Sequence, residues 1–169
     1  MAKGNRLSPE IEEMLVDQIN MELYSGYIYL SMATWCEDQD LGGFAHWLEL
    51  QANEELEHAM KIYAHVHERR GRVILDAIGK PKTEWDSALE VFEEAFEHEC
   101  KVSDSINKIV SAAKEEGDHA TDSFLQWFVD EQVEEEESAD AIVQKLKMVS
   151  KSHHGLYMLD RELGSRTAD

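Results

Sequence analysis

Residues 48–62 read LELQANEELEHAMKI and carry one line of side chains at the spacing of a helix. Side chains three and four residues apart fall on the same helix face. In this stretch they are Leu48, Gln51, Glu55, His58 and Ile62. The line is apolar at both ends, and near its middle Glu55 and His58 bring a carboxylate and an imidazole to one point. We therefore predict a helix that turns this line toward the protein core.

Three further predicted helices repeat this arrangement. Each has an inward line that is apolar at both ends and polar near the middle. The central polar residues are Glu22 in the first helix, Glu99 in the third, and Gln132 with Glu135 in the fourth. Because the midpoints of antiparallel helices meet, these side chains are predicted to converge on the pair in the second helix.

Capping residues and chain breakers define the predicted helix ends. Ser8-Pro9 begins the first helix, which ends near Glu37. The second helix follows Asp40-Leu-Gly-Gly and ends at Gly71, where a glycine suits a left-handed cap. The remaining helices are predicted over residues 87–117, 118–149 and 156–163. The sequence thus predicts an all-α four-helix bundle with a long crossover between helices two and three, over residues 71–85, and a short fifth helix.

Size and composition set limits on function. The 169 residues and 19.4 kDa fit a single domain over residues 1–169. The 36 acidic against 16 basic residues give a net charge of −20, which disfavours nucleic acid and anionic membranes as partners. Such a charge attracts cations, but it also serves solubility. No stretch reaches the roughly 18 apolar residues of a membrane span, and no apolar signal core follows Met1, so we expect a cytoplasmic protein.

Carboxylates in the core of a bundle require a counter-charge. They must be protonated, paired or neutralised by a cation, because burial and mutual repulsion oppose their ionisation. No Lys or Arg stands on the four inward lines. Oxygen ligands with one imidazole suit iron or manganese better than copper(I) or structural zinc. If the assignment of one glutamate to an inward line were wrong by one residue, that side chain would face solvent instead. All four helices would have to be wrong in the same way to remove the cluster.

The acidic run at residues 130–137 suggests a second oxygen-rich cluster. Four consecutive helical residues turn through about 300°, so the glutamates at 134–137 cannot share one face. Glu131, Glu134 and Glu135, with Glu54 from the second helix, are candidates for this cluster. Solvated side chains are the alternative for Glu131 and Glu134.

Other polar residues have weaker signals. Tyr29 lies two turns beyond Glu22, where a phenol either packs in the core or hydrogen-bonds a ligand and passes an electron. His98 is adjacent to Glu99 and therefore faces elsewhere. Four histidines lack carboxylates at matching spacing and are predicted at the surface, namely His65, His67, His153 and His154.

These motifs resemble those of the non-haem ferritins of bacteria and archaea. The resemblance extends over essentially the whole chain, through Asn20-Met-Glu22-Leu-Tyr24, Glu54-Glu55-Leu-Glu-His58, Glu97-His98-Glu99, Phe124-Leu-Gln-Trp127, Glu131-Gln132-Val-Glu134-Glu135 and Leu156-Tyr-Met-Leu-Asp160-Arg-Glu-Leu163. It implies a ferritin-like fold and a role in iron storage and detoxification. Ferrous iron would be oxidised by dioxygen or peroxide at a carboxylate-bridged di-iron centre. The ferric mineral would be stored inside a hollow homo-oligomer of twenty-four subunits.

The resemblance also implies a ligand set. The first iron site would use Glu22, Glu55 and His58. The second would use Glu55, Glu99 and Glu135, with Glu55 bridging, Gln132 beside the pair and Tyr29 near the centre. A third iron site would use Glu54, Glu131, Glu134 and Glu135. A second apolar line on the first helix would form a subunit seam, through Val16, Leu23, Tyr27 and Leu30.

Two departures separate the chain from related families. Bacterioferritins have a second Glu-x-x-His in the fourth helix and a methionine after the ligand glutamate of the second, whereas this chain has Gln132-x-x-Glu135 and Leu56. We therefore expect no haem. Rubrerythrins carry a Cys-x-x-Cys module, but Cys36 and Cys100 are isolated. A soluble di-iron oxidoreductase or peroxide scavenger of rubrerythrin-like type is the alternative function, and a non-catalytic acidic scaffold is another.

Overall fold

The computed structural model describes residues 6–149 and 151–168 of the chain. In these residues, four long helices are joined by loops and followed by one short helix. The long helices are Pro9–Asp38 (α1), Gly42–Glu68 (α2), Ala88–Glu116 (α3) and His119–Val149 (α4), and the short one is His153–Leu163 (α5). The predicted all-α four-helix bundle with its crossover and fifth helix is confirmed.

The four long helices pack as two hairpins. α1 lies along α2 and α3 lies along α4, while α1 also contacts α3. Short connections at residues 39–41 and 117–118 join the helices of each pair, which therefore run antiparallel. The crossover at residues 69–87 contains no helix or strand, and it returns the chain so that α3 begins at the same end of the bundle as α2.

The hydrophobic core is divided into two clusters, one at each end of the bundle. One cluster includes Phe44 and Phe92, and the other includes Ile62 and Phe128. On each long helix, the central polar residues predicted from the sequence lie between the segments that enter these two clusters. The apolar ends of each helix therefore fix the height at which its polar side chains enter the core.

Helix ends follow the capping residues of the sequence at four places. The Ser8 hydroxyl accepts a hydrogen bond from the Ile11 amide at 3.2 Å, with Pro9 at the first helical position. The Ser87 side chain caps α3 in the same way, and the Asp118 carboxylate accepts from the Thr121 amide at the start of α4. Gly117 ends α3 with φ 69°, the left-handed conformation that favours glycine.

Two predicted helix ends are wrong. Gly71 does not form the left-handed cap of α2, because Arg70 adopts that conformation with φ 58°. A side chain at Gly71 would instead collide with the Val66 side chain, since a Cβ there would lie 2.8 Å from Cγ1. α5 begins at residue 153 rather than 156, because the Ser152 hydroxyl accepts from the Gly155 amide at 3.0 Å and starts the helix earlier.

α5 supplies the cap that α2 lacks. The N-cap residue of α2, Leu41, offers no side-chain hydrogen bond. Instead the Asp160 carboxylate of α5 accepts from the amides of Gly43 and Phe44 at 2.8 and 3.1 Å. Only glycine fits at position 43, because a Cβ would lie 1.7 Å from the Asp160 carbonyl oxygen. The negative charge also faces the positive end of the α2 dipole.

Removing this cap is expected to loosen α5. Asp160→Ala leaves two helix N-terminal amides without their acceptor, and we expect a loss of about 1 kcal/mol in the docking of α5. Amide hydrogen exchange by residues 156–163 measures this loss directly. Arg161→Ala is the control, because Arg161 is an exposed α5 residue next to Asp160 in the sequence. Equal exchange in the two variants would contradict this role for Asp160.

The second apolar line of α1 lies at the surface of the single chain. Tyr27 and Leu30 are 51% and 48% exposed, whereas Val16 and Leu23 are half-buried. On the neighbouring helix α2, Leu56 and Met60 are also exposed. The subunit seam through this face stays a prediction. No helix in the described part of the chain is both long and apolar enough to cross a membrane.

Candidate metal centre

The polar side chains that interrupt the four inward lines are all buried. Glu22, Glu55 and Glu99 are each 1% exposed, and Glu135 is 6% exposed. His58 and Gln132 are buried with them. The structure therefore places four carboxyl groups and one imidazole in the middle of the bundle, as the helical spacing predicts.

Glu22, Glu55 and His58 form the first group of candidate ligands. Each offers one atom, and these atoms lie within 4.8 Å of one another. Several of their polar atoms have no hydrogen-bond partner despite full burial, namely Glu22 Oε2, both oxygens of Glu55 and His58 Nδ1. Buried polar atoms are almost always satisfied, so a cluster of unsatisfied acceptors facing one another fits a cation.

The remaining oxygen of Glu22 is held in place. Gln18, one turn earlier on α1, donates its amide to Glu22 Oε1 at 2.8 Å. The Ser105 hydroxyl of α3 donates to Gln18 Oε1 at 2.5 Å. This chain of hydrogen bonds orients the Glu22 carboxylate so that its unsatisfied oxygen points to the group.

Burial makes these carboxyl groups resist ionisation. It raises the pKa of Glu22 from 4.5 to about 7, with a further contribution from the charge of Glu99. It raises the pKa of Glu55 well above 4.5, to which the charges of Glu99 and Glu22 add. The pKa of Glu135 is raised to about 8, again mainly by burial. A divalent cation among these groups would favour their ionised forms.

His58 is in the neutral form that can bind a metal ion. Burial lowers its pKa from 6.5 to about 4, with a contribution from Lys61, so the imidazole is uncharged at neutral pH. Nδ1 lies 3.5 Å from Glu55 Oε2, beyond hydrogen-bond distance. The ring packs edge-on against Trp127 and Phe128, which fix its plane. A neutral imidazole is the form that coordinates a metal.

Glu99 is oriented by hydrogen bonds from both sides. The buried Tyr29 hydroxyl donates a short hydrogen bond to Glu99 Oε1, and Gln132 donates its amide to Glu99 Oε2 at 3.1 Å. Burial and the neighbouring acids raise the pKa of Tyr29 well above 10, so the phenol keeps its proton. Glu99 belongs to neither of the compact ligand groups among the described residues. Its place in a second iron site stays a prediction.

A second compact group contains His58, Glu131 and Glu135. Glu135 is buried and Glu131 is half-buried. The Gln51 side chain donates to Glu135 Oε2 at 2.7 Å. Because His58 belongs to both groups, the second group lies directly beside the first.

The other two acids of the predicted third site lie outside this group. Glu134 is exposed on α4. Glu54 is half-buried and bound by Arg166, whose guanidinium donates to both of its carboxylate oxygens at 2.9 and 2.8 Å. The predicted set of four ligands is therefore not assembled in this conformation.

One histidine prediction is wrong. His65 is buried rather than exposed, because its ring stacks on Phe124 at a centroid distance of 3.9 Å and contacts the Thr121 hydroxyl. His67, His153 and His154 are exposed as predicted. His98 turns away from the ligand groups and contacts Ser25 Oγ through Nε2 at 2.6 Å.

Three residues near the centre were not predicted as part of it, namely Gln18, Gln51 and Arg166. Gln51 lies one turn before Glu55 on the inward line of α2, so helical spacing could have predicted that it lies near the centre. Arg166 follows α5, far from the centre in sequence, and nothing in its surroundings pointed to Glu54.

The chain is similar to known proteins over almost its whole length. The sequence matches the ferritin-like domain family over residues 12–149. It is 37% identical to a probable bacterial non-heme ferritin-like protein of Haemophilus influenzae over 94% of this chain and 96% of that protein. It is 39% identical to a bacterial non-heme ferritin of Campylobacter jejuni over 92% of this chain and 93% of that protein. An open pore ferritin from the archaeon Archaeoglobus fulgidus superposes with a TM-score of 0.94 at 48% identity, covering 95% and 98% of the two chains.

Proposed function

This chain belongs to the ferritin-like domain family, and on that premise we propose that it is an iron-storage ferritin with ferroxidase activity. Ferrous iron is the substrate, and ferric mineral held inside a hollow homo-oligomer is the product. The observation that carries the proposal is the first ligand group. Glu22, Glu55 and His58 present buried, unsatisfied acceptor atoms to one point.

The donor set suits ferrous iron at two adjacent positions. Glu22 and His58 would hold one ion, Glu99 and Glu135 the other, and Glu55 would bridge them. Carboxylate oxygens and a single imidazole are ligands that iron accepts in both oxidation states. Ferric iron binds hard oxygen ligands more tightly than ferrous iron does, so the same set favours the oxidised ion.

The proposed reaction balances with dioxygen as the oxidant. Two ferrous ions each give one electron, and dioxygen with two protons becomes hydrogen peroxide. With peroxide as the oxidant, two ferrous ions and two protons yield two water molecules. Two ions at adjacent positions can supply both electrons together, which a single ferrous ion cannot do.

The chain's own residues bind protons and fix the orientation of the ligand side chains during this reaction. Carboxyl groups that bind protons in the iron-free core release them when cations enter. Tyr29 and Gln132 keep Glu99 in one orientation, and Gln18 does the same for Glu22. The Tyr29 phenol hydrogen-bonds Glu99 directly, which supports the contact with a proposed ligand that the sequence left open beside core packing.

A third iron position is proposed at the second ligand group. The sequence named both Glu131 and Glu134 for it, but only Glu131 lies in the group with His58 and Glu135. We expect Glu131→Ala to change the number of ferrous ions oxidised per dioxygen, measured with an oxygen electrode. Glu134→Ala is the matched control because it removes the same charge from an exposed position. Equal ratios in both variants and the parent would contradict a third position at Glu131.

The assembly is proposed to be a shell of twenty-four subunits. Support comes from the family and from the large apolar side chains that α1 and α2 leave exposed, since such side chains fit a subunit contact. Light scattering is expected to give a particle of several hundred kilodaltons. A monomer or dimer would favour the rubrerythrin-like alternative, which requires no shell.

A further inference from the structure

Arg166 lies in the segment that follows α5 and reaches across to α2. Its Nη2 atom donates to both oxygens of Glu54, at 2.9 and 2.8 Å, and its Nη1 atom donates to Gln51 Oε1 at 2.5 Å. One planar guanidinium thus binds two side chains that are one turn apart. Arginine is the residue that makes such forked contacts, because its donors are fixed in one plane.

Further contacts hold Arg166 in this position. The guanidinium lies over the Trp47 ring, 4.8 Å from its centroid. The Arg166 carbonyl oxygen accepts from His46 Nε2 at 2.9 Å. With Glu54 and Gln51, the residue contacts three successive turns of α2, so the segment after α5 is bound along that helix.

Gln51 connects Arg166 to the second ligand group. Its carbonyl oxygen accepts from Arg166, which leaves its amide to donate to Glu135 Oε2 at 2.7 Å. Glu135 lies in the compact group with His58 and Glu131. A single arginine therefore binds Glu54, an acid that the sequence predicts for the third iron position, and reaches Glu135 of the second ligand group indirectly through the Gln51 amide.

We propose that Arg166 is a positioning residue that occupies Glu54 in place of a metal ion and thereby keeps the third iron position weak. The inference rests on the proposed function and deepens it. A divalent ion that uses Glu54 must displace the guanidinium and free the segment after α5. An ion at the second ligand group would then have fewer ligands and leave more readily toward the mineral.

The experiment uses a redox-inactive ion so that binding is separated from oxidation. Mn²⁺ alone is added without oxygen to the assembled protein, and free Mn²⁺ is counted by electron paramagnetic resonance. In Arg166→Gln, the most weakly bound Mn²⁺ near the centre is expected to bind about tenfold more tightly. Removing the charged Arg166 side chain, which competes with the ion for Glu54, corresponds to roughly that factor.

Three variants test whether the gain in Mn²⁺ affinity depends on Glu54. Arg161→Gln removes an equal charge from an exposed position of α5 and should leave Mn²⁺ binding unchanged. Arg166→Lys keeps the charge without the fork and should show an intermediate gain. Glu54→Gln combined with Arg166→Gln should show none. A gain that persists in this double variant, or the same affinity in the parent and Arg166→Gln, would overturn the proposal.

Hydrogen exchange gives a readout that a purely structural arginine would not produce. In the parent protein, Mn²⁺ is expected to speed exchange at the amides of residues 165–167, because the ion displaces Arg166 from Glu54. No acceleration at saturating Mn²⁺ would count against displacement. Neither measurement involves oxidation, so a protein that fails to oxidise iron could still pass both tests.

Discussion

Replacing Glu55 and His58 together with alanine is expected to slow the oxidation of ferrous iron about 100-fold or more. Loss of residues that merely orient a metal ligand typically costs 10- to 100-fold, and these two residues are themselves the proposed ligands. The variant removes the proposed bridging carboxylate and the imidazole that the two compact groups share. The measurement is the stopped-flow absorbance of the ferric product after protein loaded with ferrous iron is mixed with oxygenated buffer.

The control for this variant lies on the same helix. Glu57→Ala with His67→Ala changes the same residue types at exposed positions of α2, so its rate should match the parent. Both variants should keep the helical circular dichroism signal and the particle mass of the parent. Parent rates in Glu55→Ala with His58→Ala would eliminate this group as the oxidation site.

Removing one buried acid is expected to stabilise the iron-free protein while impairing its reaction. Glu22 has a pKa raised from 4.5 to about 7 in the folded protein. A raised pKa means that the folded state binds a proton more strongly than the unfolded chain does. The associated stability is fully present below pH 4.5 and is lost as the pH rises through about 7. Ionised Glu22 thus costs on the order of 3 kcal/mol above that range.

Glu22→Gln avoids this cost. Its carbonyl oxygen can still accept from Gln18, and its new amide can donate to the unsatisfied oxygens of Glu55. We expect the free energy of unfolding of the iron-free variant to match the parent near pH 4.5. By pH 8 it should exceed the parent by on the order of 3 kcal/mol. Chemical denaturation at a series of pH values measures the difference.

The surface variant Glu13→Gln provides the comparison. It removes the same charge from an exposed position of α1, and its difference from the parent should not grow with pH as that of Glu22→Gln does. Iron oxidation by Glu22→Gln should be slowed, whereas Glu13→Gln should be unaffected. A Glu22→Gln protein that gains no stability between pH 5 and 8 would show that Glu22 ionises without cost in the folded state.

Helical spacing, with the capping residues and chain breakers, predicted the fold, and the spacing predicted the buried polar residues. A residue on the inward line of a long helix has a fixed direction once both apolar ends are buried, as at Glu22 and Glu99. The same rule left Glu131 and Glu134 undecided, because neither lies on the inward line of α4 and an acidic run is usually solvated. The structure separates them, with Glu131 beside His58 and Glu134 at the surface.

Helical spacing could not predict contacts between segments that lie far apart in the sequence. His65 was assigned to the surface because α2 offers it no carboxylate partner, yet Phe124 and Thr121 of α4 bury it. Arg166 binds Glu54 across 112 residues of sequence, and Asp160 caps α2 across a similar separation. The left-handed conformation lies at Arg70, whereas glycine is required at position 71 because Val66 fills the space that a side chain would need.

In the proposed function, the buried carboxylates and His58 bind ferrous ions in pairs, and dioxygen oxidises these ions within an assembled particle. The most direct measurement is to load the protein with two ferrous ions per subunit without oxygen, add air, and follow ferric absorbance on a sample of known mass. We predict oxidation much faster than in protein-free buffer, in a particle of about twenty-four times the 19.4 kDa chain. Oxidation at the rate of buffer alone, in a fully assembled particle, would contradict the claim.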